Sequence, residues 1–338
     1  MGTHKIMGPH VGIPTFFQAP FIEVDRIREG MTVVAGVPID QGIIVSKPGA
    51  KYGPRKIREA STFPRAIFES AVEHTTVDID TQIALRLREV LNLADIGDLD
   101  IDPSDIMRTT QSVISGVADI VRRGAFPVVL GGDHYIAYPN FEGYIRGMTE
   151  RKTNPRLGYL HIDSHTDFRN DYGGIIGKYS HGTAARRISE SDRISYKNMA
   201  WLGLNGSILD ADMFRMLKRH SLKMFSVRNL RERGIGEVVR EAMETVADSA
   251  DGVYVSIDID VVSNADVKGT GGPVFSGLTA DEFLQMMEVL SGYDVIKAVD
   301  LCEVAPPLDP SGITADLAAS GLLTILRHRL FDVVEVAV

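Results

Sequence analysis

The run His161-Ile-Asp163-Ser-His165-Thr-Asp167 sets an ionisable side chain at every second position, and Asp258-Ile-Asp260 repeats the spacing further along the chain. Alternate residues of an extended segment project to one side, so each run aims its imidazoles and carboxylates at one place. Carboxylates gathered together repel unless protons or cations neutralise them. Gly131-Gly132-Asp133-His134 adds a further imidazole, with two glycines permitting a sharp turn that presents His134 inward. By itself that tetrapeptide also reads as a tight turn with Asp133 capping a helix, as isolated aspartates commonly do. Together His134, Asp163, His165, Asp167, Asp258 and Asp260 form a mixed oxygen and imidazole donor set. Such a set suits Mn2+, and next Ni2+, Co2+ or Fe2+, better than a thiolate-type structural zinc site. A pair of divalent metals is the simplest account, and the expected class is a metallohydrolase. His161 either supports this set from behind or is a hydrogen-bonded core histidine.

These runs must be held by rigid elements. Short apolar stretches at 32–37, 93–96, 126–130, 157–162, 199–204, 223–227, 253–257 and 295–301 read as buried strands. Helical periodicity is clearest at 104–123, 210–218, 235–247, 280–290 and 315–328, with Ser104 as N-cap and Gly124 as stop for the first. Alternation of this kind predicts a doubly wound α/β domain with a parallel sheet. In such sheets reactive groups lie on loops leaving the carboxyl ends of strands. His134, Asp163–Asp167, Asp258–Asp260 and Glu303 all follow predicted strands. One domain spanning 1–338 is expected, since no Pro/Ser-rich linker, repeat or low-complexity segment divides it.

The 338 residues are 44% hydrophobic and carry a formal charge of −9. That balance fits a soluble globular protein and argues against nucleic acid, which demands a basic patch. No apolar run is long enough to cross a bilayer, and Met1-Gly-Thr-His-Lys5 lacks the pattern of a secretory signal. The single cysteine, Cys302, excludes an internal disulfide framework and fits a reducing compartment, so the cytoplasm is expected. Cys302 has no histidine near it in sequence to activate it and reads as packing. Gly173-Gly174 with Gly177 lacks the Lys-Ser/Thr ending of a phosphate loop and reads as a flexible loop. The pairs Arg186-Arg187 and Arg151-Lys152 read as surface or interface charges.

Along nearly its whole length the chain resembles the ureohydrolases (arginases, agmatinases and guanidinobutyrases), and most closely the agmatinase/guanidinobutyrase branch. The residues that carry the resemblance are Gly12-Ile-Pro-Thr-Phe16, Gly36-Val-Pro-Ile-Asp40, Gly49-Ala-Lys-Tyr-Gly-Pro54 with Ile57-Arg58, and Ala94-Asp-Ile-Gly-Asp98. Gly131–His134, His161–Asp167, Ser180-His-Gly-Thr183, Ser256–Asp260 and Glu303-Val-Ala-Pro-Pro307 continue it in order. The resemblance implies a single α/β/α domain around an eight-stranded, mostly parallel sheet, assembled as trimers or hexamers, here with residues 1–30 as an N-terminal extension packing on the domain or on a neighbouring subunit. It implies that His134, Asp163, Asp167 and Asp258 bind one metal and Asp163, His165, Asp258 and Asp260 the other, with Asp163 and Asp258 bridging. It implies that His181 transfers a proton and that Glu303 orients a guanidinium. The chemistry agrees: a resonance-deactivated guanidinium carbon needs hydroxide at neutral pH, which two metals sharing a water can supply. The amine then leaves only when protonated, and a histidine has the right chemistry for that step.

The chain departs from the family pattern between Val261 and Leu278, where an Asp-Pro turn is missing and Val274-Phe275-Ser276 replaces a Glu-Pro-Gly stretch. Asn205 stands where the branch often has arginine. The expected activity is therefore hydrolysis of a guanidino compound to urea and an amine, with Tyr172, Tyr179 and Phe275 offering apolar cover for a small or N-alkylated guanidine or biguanide. Agmatine or guanidinobutyrate hydrolysis proper, formimino-group hydrolysis, single-zinc deacetylation on a related fold, and a partner subunit of a mixed oligomer remain as alternatives. Asp171 or Asp266 could hold a distal ammonium.

Overall fold

A computed structural model describes residues 11–43, 46–79, 82–88, 91–172, 177–205 and 211–335. In chain order the strands are β1 (Thr32–Val37), β2 (Thr75–Val77), β3 (Ala84–Leu87), β4 (Leu93–Asp98), β5 (Phe126–Gly131), β6 (Leu157–Ile162), β7 (Ile194–Leu204), β8 (Lys223–Ser226), β9 (Gly252–Asp258), β10 (Ile296–Cys302) and β11 (Phe331–Val334). Eight of them form one sheet in the order β4-β1-β5-β10-β9-β6-β7-β8, and every pair in it is parallel. Its central strands are buried along their length, as their apolar runs require. All eight strands expected from the apolar stretches are present, within a few residues at their ends.

Helices cover both faces, giving three layers. On one face α1 (Gly53–Ser70), α7 (Ile235–Ala247), α8 (Ala280–Ser291) and α9 (Ile313–Ile325) bury residues such as Ile57, Val238, Phe283 and Leu322. On the other, α2 (Ile106–Arg122), α3 (Ala137–Arg151), α4 (Ala184–Ser189) and α5 (Ala211–His220) bury Val113, Phe141, Ile188 and Met213. The N-cap of α2 is Asp105, not Ser104: its carboxylate accepts from the amides of Met107 and Arg108. The last predicted helix breaks at Leu326, after which Arg327–Leu330 makes a single short turn. Helices α1 and α3 escaped the periodicity reading; Pro64 lies inside α1, while Pro54 and Pro139 stand in the first turns of α1 and α3. A small antiparallel sheet, β11-β3-β2, was also not anticipated; its strands are too short for a period-2 pattern to register.

Residues 11–30 lie against the large sheet. Phe16 and Phe17 are buried, and their amides donate to Asp95 Oδ2 (2.9 Å) and Ser61 Oγ (2.7 Å). Asp95 is also gripped by Arg58 through Nε (2.8 Å) and Nη2 (3.0 Å), while Arg58 Nη1 reaches Asp98 Oδ1 (2.6 Å) and Nη2 the Gly97 carbonyl (2.8 Å). A buried guanidinium is tolerable only with its donors satisfied in this way.

Candidate metal centre and active site

The four central strands, β5, β10, β9 and β6, are immediate neighbours, and the chain's histidines and carboxylates leave from their carboxyl ends. Beyond β5 the turn needs glycine for space: a Cβ on Gly132 would sit 2.2 Å from the Ile39 carbonyl oxygen. Asp133 fixes the turn by accepting from the amides of Gly42 (2.8 Å) and Tyr135 (3.0 Å). Burial, with the Glu303 charge adding to it, pushes the Asp133 carboxyl up to about 7.

His134 then enters the site with its two nitrogens distinguished. Ser256 Oγ donates to Asp300 Oδ1 (2.6 Å) and lies 3.0 Å from His134 Nε2, so Nε2–H donates to Ser256 and Nδ1 is the nitrogen turned towards the carboxylates. Nδ1 faces Asp163 Oδ2 and Asp167 Oδ2, each at 3.0 Å, and Asp258 Oδ2 at 3.3 Å. Asp300 is held in turn by Tyr254 Oη (2.6 Å) and Asn140 Nδ2 (3.2 Å). His165 Nδ1 makes a second meeting point, 3.0 Å from Asp260 Oδ2 and 3.4 Å from Asp163 Oδ1. Asp163 touches both groups, Oδ2 at His134 and Oδ1 at His165, while Asp258 Oδ1 accepts from the Asp260 amide at 2.8 Å.

Buried acceptors facing one another without hydrogen are the signature of a cation site. His134 Nδ1, Asp163 Oδ2 and Asp260 Oδ1 are buried and have no hydrogen-bond partner. Burial, reinforced by the charges of Asp260 and Asp163, holds Asp258 well above the usual carboxylate range, and burial raises Asp260 to about 7. The metal-free cluster thus takes up protons that divalent cations would displace. Clusters of His134, His161, Asp163 and Asp167, and of Asp163, His165 and Asp260, have ligand atoms close enough together to share an ion. The donor set fits hard or borderline divalent metals. His161 packs behind it, its ring parallel to that of His134 (5°, centroids 4.8 Å apart), with Nδ1 2.9 Å from Tyr159 Oη and Nε2 3.0 Å from Asp163 Oδ2.

Two further groups border the cluster. His181 Nδ1 lies 3.5 Å from Ser46 Oγ and 3.6 Å from Glu303 Oε1, while its Nε2 is buried and unpaired. Burial pulls this imidazole's pKa down, but the hydrogen bond and charge of Glu303 prevail and raise it to about 8. Glu303 Oε1 accepts from the His134 amide (2.9 Å), leaving Oε2 buried and unpaired. Glu303 and Asp167 both hold positive φ, 62° and 45°, a strain that surrounding structure must maintain. At the mouth, a Cβ on Gly272 would come within 3.1 Å of Asp260 Oδ2 and 3.3 Å of the His165 ring, so the 269–272 stretch lies directly over the cluster. Tyr172 packs on Gly182, next to His181; a Cβ there would overlap the Tyr172 hydroxyl.

Three sequence expectations need correction. Phe275 is 89% exposed and lines no wall of the site. Ser263 Oγ holds its carbonyl (2.8 Å), and bridges from Ser263 to Val274 and from Val262 to Leu278 fold the divergent segment back on itself, turning the ring to solvent. Tyr179 is partly buried against the core and stacked on Tyr138. Arg187 is buried rather than a surface charge. Asp266 is engaged in capping, accepting from the Ala280 amide. Cys302 is buried, and burial pushes its thiol well above the ordinary range, which matches its packing role. Gly173-Gly174 lies outside the described residues. The sequence reading missed Asp300, Tyr254 and Asn140; the available signal was one aspartate inside the apolar stretch Ala298-Val-Asp-Leu-Cys302.

Residues 31–327 match the family model described as the Arginase family. The guanidinopropionase of Pseudomonas aeruginosa is 29% identical over 93% of this chain and 91% of its own length. The proclavaminate amidino hydrolase structure from Streptomyces clavuligerus superposes with a TM-score of 0.76 at 27% identity, covering 95% of this chain and 98% of that one. A Trypanosoma cruzi formiminoglutamase solved with Mn2+ shares the fold, with a TM-score of 0.73 at 22% identity over 88% of this chain and 92% of that one. With the fold, the cluster at the strand ends and this match over most of its length, the chain belongs to the Arginase family.

Proposed function

We propose that the chain hydrolyses a guanidino compound to urea and an amine at a binuclear metal centre. As a family member it is a hydrolase acting on amidino carbon–nitrogen bonds. The observation that carries the two-metal reading is the pair of meeting points, a buried one at His134 Nδ1 and a half-exposed one at His165 Nδ1, with Asp163 reaching both through its two oxygens. His134, Asp163, Asp167 and Asp258 would hold one ion and Asp163, His165, Asp258 and Asp260 the other, Mn2+ or Ni2+ suiting these donors. When bound, such ions neutralise the carboxylates and lower the pKa of a shared water.

The protein's own groups do the rest. Glu303 Oε2, buried and unpaired, accepts from the guanidinium head and fixes its carbon over the cluster. His181 Nε2, also unpaired, faces the same space and delivers a proton to the departing amine. Tyr172 covers the mouth beside His181.

For the tail, a small or N-alkylated guanidine or biguanide remains the first reading, supported by Tyr172 and by the capping role of Asp266. Phe275 no longer supports it. One observation favours a second reading: the Lys47 amide donates to the Gly271 carbonyl (3.2 Å), which ties the backbone of an exposed lysine to the stretch beside Gly272. A cation there disfavours agmatine's ammonium and favours a carboxylate tail, as in the guanidino acid that the P. aeruginosa relative's name specifies. Trimeric or hexameric assembly, with or without a paralogous subunit, and a cytoplasmic location belong to the same proposal; no helix among the described residues is long and apolar enough to cross a membrane.

The test is urea release by the purified protein loaded with Mn2+ or Ni2+, offered guanidine, alkylguanidines, biguanides, 3-guanidinopropionate, 4-guanidinobutyrate, agmatine and arginine. Arginine is expected last. Agmatine with by far the highest kcat/KM overturns the tail assignment; no urea from any of them, with two metals bound, overturns the function.

A further inference from the structure

Arg187 on α4 is only 4% exposed, yet its one ion-pair partner among the described residues, Glu190 (2.8 Å), is 44% exposed on the side chain. Burying a guanidinium is costly unless its donors are used; apart from the Nη2 bond to Glu190, the hydrogen bonds of Arg187 go to a single loop, and its buried Nε has no partner. Nη1 donates to the Asn170 carbonyl (3.1 Å) and the Lys178 carbonyl (3.4 Å), and Nη2 to Asn170 Oδ1 (3.3 Å). One planar fork therefore ties together the two ends of the segment that begins at Asn170 and closes at Lys178. The Lys178 end has a second tie, since Thr183 Oγ1 donates to the same carbonyl at 2.6 Å. Near the Asn170 end the chain bears directly on the site: Arg169 N donates to the Gly182 carbonyl (3.1 Å), and the Tyr172 hydroxyl packs on Gly182, adjacent to His181.

We propose that Arg187 is a positioning residue for substrate selection: by clamping Asn170 to Lys178 it holds Tyr172 at the mouth and so sets which tails are admitted. This rests on the hydrolase reading above, and the clamp is testable without it. A lysine cannot replace it, because one ammonium on a flexible stem does not reproduce the fork that spans both carbonyls.

The experiment compares wild type with Arg187→Ala and Arg187→Lys in the metal-loaded protein. Metal content should be unchanged in both. Trypsin cleavage after Lys178, followed by mass of the fragments, should accelerate by about tenfold or more, because cleavage follows the population of the opened loop. The ratio of kcat/KM between guanidine, which has no tail, and 4-guanidinobutyrate should shift by about fivefold or more, chiefly through KM for the tailed substrate. That ratio does not depend on how much protein is active, so a general loss of folded enzyme would leave it unmoved. Unchanged cleavage after Lys178 or an unchanged ratio overturns the proposal, and should Arg187→Ala fail to fold, Arg187→Lys decides. If wild type hydrolyses nothing in the panel above, the function reading fails, while the cleavage rates still decide the clamp; if it hydrolyses only other members, the ratio is taken between its shortest-tailed and longest-tailed substrates.

Discussion

Ser256→Ala tests the most informative hydrogen bond in the site, since it removes one hydroxyl while leaving every candidate metal ligand in place. Ser256 is fully buried, so no water replaces the lost group. Two partners lose the hydroxyl: His134 Nε2–H at 3.0 Å, and Asp300 Oδ1 at 2.6 Å, which keeps only the weak Cys302 Sγ donor at 3.5 Å. An unsatisfied buried group costs about 1–3 kcal/mol. Asp300 retains Tyr254 and Asn140 on its other oxygen, which puts its loss at the low end. His134 has an escape: its proton can move to Nδ1, which faces three carboxylate oxygens at 3.0, 3.0 and 3.3 Å. A metal must then displace that proton. The expected result is metal binding weaker by about 10–100-fold, the usual worth of a group orienting a ligand histidine, or about 1.4–2.7 kcal/mol. The affinity should also fall more steeply at low pH than in wild type. Chelator competition with Mn2+ measures it, with circular dichroism confirming the fold. An affinity within about twofold of wild type, at every pH, would refute the assignment of Nδ1 as the metal-facing nitrogen.

Asp258→Asn is expected to lose activity and bound metal together, because a carboxylate shared by both proposed sites neutralises both ions; elemental analysis showing two ions with full turnover would defeat it. His181→Phe should keep its metals and slow turnover by about 10²–10⁴-fold, the range for a positioned proton donor, read as kcat on the best substrate of the panel. In the metal-free protein His181 should titrate near about 8 rather than at the ordinary 6.5. Its folded-state pKa is raised, so its stabilisation is complete below about 6.5 and is lost as pH rises through about 8; NMR titration checks this, and Glu303→Gln should bring the value down. Arg58→Ala should destabilise the fold by about 3–5 kcal/mol, leaving Asp95 buried without its ion pair, while metal content stays at the wild-type level; urea unfolding separates the two effects.

The sequence by itself determined the parallel sheet and the candidate ligand residues at its strand ends, because both depend on short-range pattern. Apolar runs bounded by turn residues mark strands that are buried on both faces, and alternate spacing within His161–Asp167 and Asp258–Asp260 puts donors on one side without any knowledge of the partner strand. What only the tertiary structure decided depends on strand order. That β5, β10, β9 and β6 lie side by side cannot be read from a chain in which they stand far apart and out of sequence. Their adjacency brings Ser256 of β9 between His134 and Asp300 of β10, and so chooses which nitrogen of His134 faces the metal site. The same holds where local reading failed. Phe275 is apolar, but bridges across the 262–278 segment turn it to solvent. Arg187 is charged, but backbone carbonyls from residues 170 and 178 satisfy it in the interior. An apolar residue goes outward and a charge inward only when hydrogen bonds made elsewhere in the fold compensate, and those partners are brought together by the three-dimensional packing alone.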